Sequence, residues 1–352
     1  MNQISPVLYA NTDDAVQTEK SAKSTPKQHL NILDLLRGFA AISVCLYHYT
    51  NGTLPKISIP FTKSLFSWGS LGVDIFFVIS GFIIPFALHR SNYTLPGFGK
   101  FMLKRIARIC PPSYVVIILA IAQWWTIDTF LKPSAPYLSL ISIPQLIHNF
   151  LYTIDFTGYK WINGVFWTLA IEFQFYIFMG LVFSIISKNK IFAFALAIIF
   201  TVLSFTKFGN GNTIINYGSL FIMGYITWLK KTNQISTKIF APFLFFITAI
   251  ASAKLDIPSA LFGAATSLLI AYVNVKHPVY TFFGNISYSL YLTHILVGTT
   301  LEGVLVRFLP VESVITRLTI LLICLVSAII FSYLFYITIE KKFIAIANNL
   351  FR

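Results

Sequence analysis

The chain has 352 residues, 56% of them hydrophobic and only 11% charged, with a mean hydropathy of +0.75. A soluble domain carries about 25% charged residues, so this composition excludes a water-surrounded globule and makes lipid the solvent for most of the chain. The net charge of +14 would suggest nucleic acid on a soluble protein; here it reads as basic residues gathered in cytoplasmic loops, an excess that also suits an anionic cytoplasmic substrate, and no nucleic-acid partner is expected.

Residues 1–28 are polar, carry Lys20, Lys23 and Lys27 and lack an apolar core. They read as a disordered cytoplasmic tail rather than a cleaved signal peptide. Apolar runs follow at 34–50, 71–89, 113–131, 165–187, 191–206, 214–229, 239–253, 257–274, 287–306 and 314–337, against the roughly 17–25 residues a spanning helix needs. The fifth, sixth and seventh are short, and the seventh and eighth could fold as one re-entrant hairpin. Segment 138–151 is amphipathic and interrupted by proline, as expected of a helix lying along the membrane surface. With the N-terminus inside, 17 of the 26 Lys and Arg residues fall in inside segments and 8 in outside ones, with Arg37 within the first span. The expected fold is all-α: a polytopic transmembrane helix bundle of about ten spans, N-in and C-in. Its parts are the tail 1–28, a transmembrane domain 29–345 and a cytoplasmic C-terminal tail 346–352. No internal repeat is evident, so an inverted-repeat transporter finds no support.

Ionisable groups inside spanning helices are costly and are functional candidates. The first span, LDLLRGFAAISVCLYHY, places Arg37 and His48 eleven residues apart. At about 100° and 1.5 Å per residue that returns to nearly one face ~16 Å further on, and Asp34 falls close to the same face. By position alone Arg37 reads as a snorkelling anchor as readily as a functional cation, and His48 as an interfacial ring bonded to backbone. In the second span, GSLGVDIFFVISGFII, Asp74 is near the outer face and Ser80-Gly81 lies mid-membrane. Asp74 also fits a helix cap, and Gly81 a close helix contact. The stretch FMLKRIARICPPSY gathers Lys104, Arg105 and Arg108 at the cytoplasmic end. Arg105 and Arg108 share a helix face; the cluster is a topology signal or anionic-lipid site, or else a phosphate clamp built on arginine forks.

The fourth span, GVFWTLAIEFQFY, puts Glu172 in the outer half, where a carboxylate needs a partner, for packing or for chemistry. The ninth, GNISYSLYLTHILV, lines one face with Tyr288, Tyr291 and His294, either a packing stripe or a site. Cys45, Cys110 and Cys324 form no CxxC pair, and Cys45 with His48 makes only two ligands, so neither a disulfide framework nor a metal site is expected. His48, Asp74 and Glu172 thus map to the outer half, and Arg37, Lys104, Arg105 and Arg108 to the cytoplasmic end. A His near carboxylates suits general-base work on a hydroxyl; an Arg/Lys cluster suits a polyanion.

Five stretches in this order resemble the membrane-bound acyltransferase-3 family of sugar O-acyltransferases: LDLLRGFAAISVCLYHY, GVDIFFVISGFII, the Arg105/Arg108 run ending in PPSY, FWTLAIEFQFY and GNISYSLYLTHILV. They cover roughly the first half of the chain and the ninth span. The resemblance matches Arg37 and His48 to the family's Arg and His on its first helix, and Ser80-Gly81-Phe82 to its Ser-Gly-Phe. Glu172 matches the acidic residue after its Trp motif, and Tyr288, Tyr291 and His294 match its late Tyr and His. The sequence departs from the family pattern at Thr168 and Ala170, where small hydroxyl residues are common. No fused soluble domain is expected after residue 337.

What the resemblance implies is transfer of an acyl group, often acetyl, from acyl-CoA to a hydroxyl, in the plasma (bacterial inner) membrane. The implied partners are acyl-CoA (acetyl-CoA first), a carbohydrate or glycolipid acceptor and the lipid bilayer. Acyl-CoA phosphates would dock on Arg37, Lys104, Arg105 and Arg108, with Ser80, Tyr288, Tyr291 and His294 also counted among the acyl-CoA-binding residues. His48 would take the acceptor proton, and Asp74 or Glu172 would stabilise the imidazolium. Ser80 is a candidate nucleophile for a covalent route. The alternatives are a secondary transporter or exporter with an intramembrane polar path, and a non-catalytic membrane sensor or scaffold.

Overall fold

The computed structural model describes residues 30–131 and 136–350; the expected tail 1–28, Lys132 and the last two residues lie outside them. Among the described residues every regular element is helical. In chain order the α-helices are α1 (Asn31–Thr50), α2 (Pro60–Leu65), α3 (Gly72–Arg90), α4 (Phe98–Leu131), α5 (Ile143–Leu151), α6 (Phe166–Ile186), α7 (Lys190–Ser204), α8 (Gly218–Lys231), α9 (Thr237–Lys254), α10 (Ile257–Tyr272), α11 (Pro278–Leu305), α12 (Val314–Phe335) and α13 (Lys341–Asn349). A π-helical turn, Tyr336–Glu340, joins the last two.

Among the described residues six helical stretches are long and apolar enough to cross a membrane: Asn31–Thr50, Pro60–Arg90, Leu95–Phe130, Phe166–Ile186, Thr237–Lys254 and Val314–Asn349. Helices α7 and α10 are apolar but have only 15 and 16 residues. That is about 22–24 Å of helix, against a hydrocarbon core of about 30 Å. Helix α11 has 28 residues and is not among the six. Ser287, Ser289, Thr293, His294 and Glu302 are all buried along it, so protein neighbours rather than lipid must satisfy them.

Each expected apolar segment is helical, but two helices start earlier than hydropathy indicates. Helix α11 begins at Pro278 rather than 287, with proline in its first turn behind a His277 cap. Helix α4 begins at Phe98 rather than 113 and runs through Pro111 and Pro112. Basic residues lower hydropathy without breaking the helical period, and α4 continues through the two prolines although these remove the backbone donors to the Ala107 and Arg108 carbonyls. The Ser113 hydroxyl donates to the Cys110 carbonyl at 2.8 Å, and the Tyr288 hydroxyl donates to the Ile109 carbonyl at 2.8 Å. Arg105 and Arg108, expected on one helix face, lie on the same continuous helix as the third expected span. Helix α5 bears out the amphipathic pattern: Ile143, Ile147 and Leu151 recur every four residues on its exposed side, while Asn149 is buried.

The most extensive helix contact is α1 against α11, followed by α3 against α8. Ala41, Cys45 and Tyr49 of α1 pack with Leu290 of α11 and with Ile320, Cys324 and Ala328 of α12 in one apolar cluster. Backbones come close where a side chain is missing, as is usual between helices in lipid. A Cβ on Gly284 of α11 would lie 2.5 Å from the Asp34 Cβ, and one on Gly81 of α3 would lie 2.3 Å from the Phe221 carbonyl oxygen of α8. Gly81→Ala is expected to force α3 and α8 apart and to destabilise the protein by about 1–3 kcal/mol. The check is the unfolding midpoint in detergent; an unchanged midpoint would contradict the close approach.

Candidate functional site

One helix, α1, carries both ends of the site. Near its C-terminal end the His48 ring stands 5.2 Å from the His294 ring of α11, tilted by 41°. His294 is fully buried. Its Nδ1 lies 3.0 Å from the Leu290 carbonyl. A carbonyl only accepts, so Nδ1 carries the proton and Nε2 is left as a bare lone pair. That Nε2 is buried and has no hydrogen-bond partner in the structure. The Tyr49 hydroxyl donates to the His294 carbonyl at 2.6 Å and ties the two helices at this level. Thr53, just past the end of α1, places Oγ1 3.5 Å from His48 Nδ1.

About three turns back along α1, Arg37 feels the charges of Arg108, Glu172 and Asp34. The Arg105 guanidinium lies over the Phe101 ring at 5.4 Å and over the Tyr176 ring at 5.5 Å. Glu172 Oε1 accepts from the Ser80 hydroxyl at 3.1 Å and from the Tyr176 hydroxyl. Glu340, buried in the π-helical turn, accepts from the Ser289 hydroxyl at 2.6 Å and interacts electrostatically with Arg108 and Arg37. Three guanidiniums, Arg37, Arg105 and Arg108, are thus set among three carboxylates, Asp34, Glu172 and Glu340. A phosphate entering here competes with acids already in place. Lys104 is turned about 100° from Arg105 around α4.

The structure does not bring either expected carboxylate to His48. Asp74 is buried and shares a hydrogen bond with Ser259 in the first turn of α10, near Asp256 and Tyr217. Gly72 abuts the Ala40 carbonyl of α1, and Asp74 lies about 200° further around α3, so it turns away from α1. Glu172 sits with the arginines instead. Counting residues along a helix measures height in the bundle; it does not measure which neighbour a side chain faces. Ser80 gives its hydroxyl to Glu172.

The expected stripe on α11 meets three different helices. Tyr288 reaches α4 at Ile109, and His294 reaches α1. The Tyr291 hydroxyl meets Thr168 Oγ1 at 2.7 Å and the Val165 carbonyl at 3.2 Å, which ties α11 to the start of α6.

Glu340, Tyr176 and Thr53 were not singled out from sequence. Glu340 ends the apolar run YLFYITIE and meets the same test that marks Glu172, an acid beside the membrane core. Tyr176 lies one helical turn after Glu172, the spacing that makes side chains meet. Among the described residues no group of three or more His, Cys, Asp or Glu side chains is placed to hold a metal ion, and all three cysteines are free and buried.

Fold and site together define an all-helical membrane protein whose interior joins an imidazole pair to an arginine–carboxylate cluster along one helix. A family model described as "Acyltransferase domain" matches residues 30–337, and the chain belongs to that family. It is similar to the O-acetyl transferase of Shigella phage Sf6, 32% identical over 171 residues, covering 46% of this chain and 48% of that protein. It is also similar to the peptidoglycan O-acetyltransferase OatA of Listeria monocytogenes, 28% identical over 167 residues, covering 43% and 24%. Nodulation protein 10 of Rhizobium leguminosarum is 29% identical over 178 residues, covering 46% of each chain. Each of these matches spans less than half of the relative's own length. No solved structure matches the chain.

Proposed function

We propose that the protein is an inner-membrane O-acyltransferase that moves an acyl group, acetyl in the first instance, from acyl-CoA to a hydroxyl of a cell-envelope or exported carbohydrate. Family membership supports acyl transfer, and relatives named O-acetyltransferases, one of them for peptidoglycan, support the acetyl group and the carbohydrate. The observation that carries the reading is on α1. It presents Arg37 to a cluster of guanidiniums and carboxylates and, ~16 Å along the same stripe, His48 to a buried imidazole.

In this reading ten helices cross the membrane, with both termini cytoplasmic. Acyl-CoA enters from the cytoplasm, its phosphates held at Arg37, Arg105 and Arg108 with Lys104 at the entrance. Its thin pantetheine arm passes Ser80, Tyr288 and Tyr291 toward His48. His48 takes the proton of the acceptor hydroxyl as the oxygen bonds the thioester carbon. The C–S bond then breaks, and the thiolate leaves with that proton. Neither Asp74 nor Glu172 has a part beside His48.

The test is purified protein in liposomes with labelled acetyl-CoA and isolated cell-envelope polysaccharide. Ester-linked label on the polysaccharide is expected; net movement of label across the membrane without ester formation would make the protein an exporter instead. Arg108→Gln removes a charge-assisted contact worth about 1.5–3 kcal/mol. It is expected to raise KM for acetyl-CoA about ten- to hundredfold, with a smaller change in kcat. An unchanged KM would remove the arginine cluster from donor binding.

A further inference from the structure

A base that takes a proton becomes a cation, and a buried imidazolium needs an acceptor behind it. A carboxylate is the usual one. Here Asp74 is tied to α10, and Glu172 to Ser80 and Tyr176. The group that does stand beside His48 is His294, with ring centres 5.2 Å apart. Its Nε2 is bare, buried and without a partner, a condition that buried polar atoms rarely keep unless a donor arrives. The bond from Nδ1 to the Leu290 carbonyl fixes which nitrogen is bare.

The flanking tyrosines do not supply the missing donor. The rings of Tyr49 and Tyr291 each lie 6.2 Å from the His294 ring. The Tyr49 hydroxyl is committed to the His294 carbonyl, and that of Tyr291 to Thr168 and Val165. Among the described residues, His48 faces the neighbouring Tyr47 ring at 5.4 Å, Thr53 and His294. Glu302, the next acid along α11, is occupied by the backbone N–H groups of Lys56 and Ile57 at 2.8 and 3.3 Å.

Building on the proposed function, we propose that His294 is the positioning residue of acyl transfer: its neutral Nε2 accepts the N–H of His48 while His48 holds the acceptor's proton. An imidazole takes the place of the carboxylate. The acceptor O–H gives its proton to His48, and the oxygen bonds the thioester carbonyl carbon. The C–S bond breaks, and the thiolate receives that proton. His294 keeps its own Nδ1 proton on Leu290 throughout and gains none. A neutral acceptor stabilises the cation without placing a second charge in a low-dielectric site.

Two near-isosteric variants separate this role from packing. His294→Asn keeps a donor for the Leu290 carbonyl and loses the acceptor at Nε2. His294→Gln extends an amide oxygen toward that place. With labelled acetyl-CoA and cell-envelope polysaccharide, His294→Asn is expected to lower kcat about hundredfold at unchanged KM for acetyl-CoA. His294→Gln is expected to recover about tenfold of that loss. Full activity in His294→Asn overturns the proposal, as does equal loss in both variants with a lowered unfolding midpoint. Thr53→Val removes the contact of His48 to Thr53; a large loss there with an active His294→Asn would give the role to Thr53 and overturn the proposal.

A readout without turnover keeps the pairing and the reaction distinguishable. In protein labelled with 15N-histidine, protonation of His48 on acidification is expected to shift the His294 Nε2 resonance through an N–H···N bond. A His294 resonance that does not follow His48 overturns the pairing. Wild-type protein that shows the shift but transfers no acyl group sustains the pairing and sinks the proposed function.

Discussion

His48→Ala is expected to remove acyl transfer while leaving the protein inserted and folded. A positioned general base contributes about 10²–10⁴-fold to rate, and in the proposed reaction His48 is the group that takes the proton from the acceptor. The loss is chemical because His48 carries little of the packing. The apolar cluster at this level is built from Ala41, Cys45 and Tyr49 of α1, and the tie between α1 and α11 runs through the Tyr49 hydroxyl. The polar contact of the His48 ring to Thr53 is 3.5 Å long. Substitution is therefore expected to leave the unfolding midpoint in detergent near that of the wild type. Turnover near the wild-type rate in His48→Ala would refute the base assignment and, with it, any role for His294 behind it.

Glu172→Gln is expected to cost stability rather than turnover alone. The wild-type carboxylate accepts from Ser80 and Tyr176 and offsets the charges of Arg37 and Arg105. Without it, Arg37, Arg105 and Arg108 repel one another with only Asp34 and Glu340 to compensate. Removing one partner of a buried ion pair costs about 3–5 kcal/mol. The lower end, about 3 kcal/mol, applies here, since Glu172 retains some exposure. The check is unfolding in sodium dodecyl sulfate, with Arg105→Gln as the second arm of a double-mutant cycle. If the charges form one network, the double variant recovers part of the loss, with a coupling of about 0.5–3 kcal/mol. Strict additivity would show that Glu172 and Arg105 act independently.

Much of this architecture is legible in the amino-acid order. So few charges leave lipid as the only solvent, and lipid admits only backbones that satisfy their own hydrogen bonds, hence helices. The eleven-residue spacing of Arg37 and His48 is a statement about one helix, and one helix has a fixed pitch. Other features escaped the reading for identifiable reasons. Pro111 and Pro112 stand just before the third apolar run, whose hydropathy begins at 113, yet α4 runs through them from Phe98. Glu340 lies just beyond the last apolar run, and its partner Ser289 is 51 positions earlier, so no local pattern marks the pair.

The sequence by itself determined the solvent, the element type and the stripe of α1 that bears a guanidinium and an imidazole. Only the tertiary structure decided that His294 rather than an acid stands behind His48, that Asp74 turns to α10, and that Glu172 and Glu340 balance the arginines. The reason is geometric. Helical periodicity sets a residue's height and bearing on its own axis, while the bearing of one axis on another is set by where backbones can approach, as they do at Gly284 and Gly81.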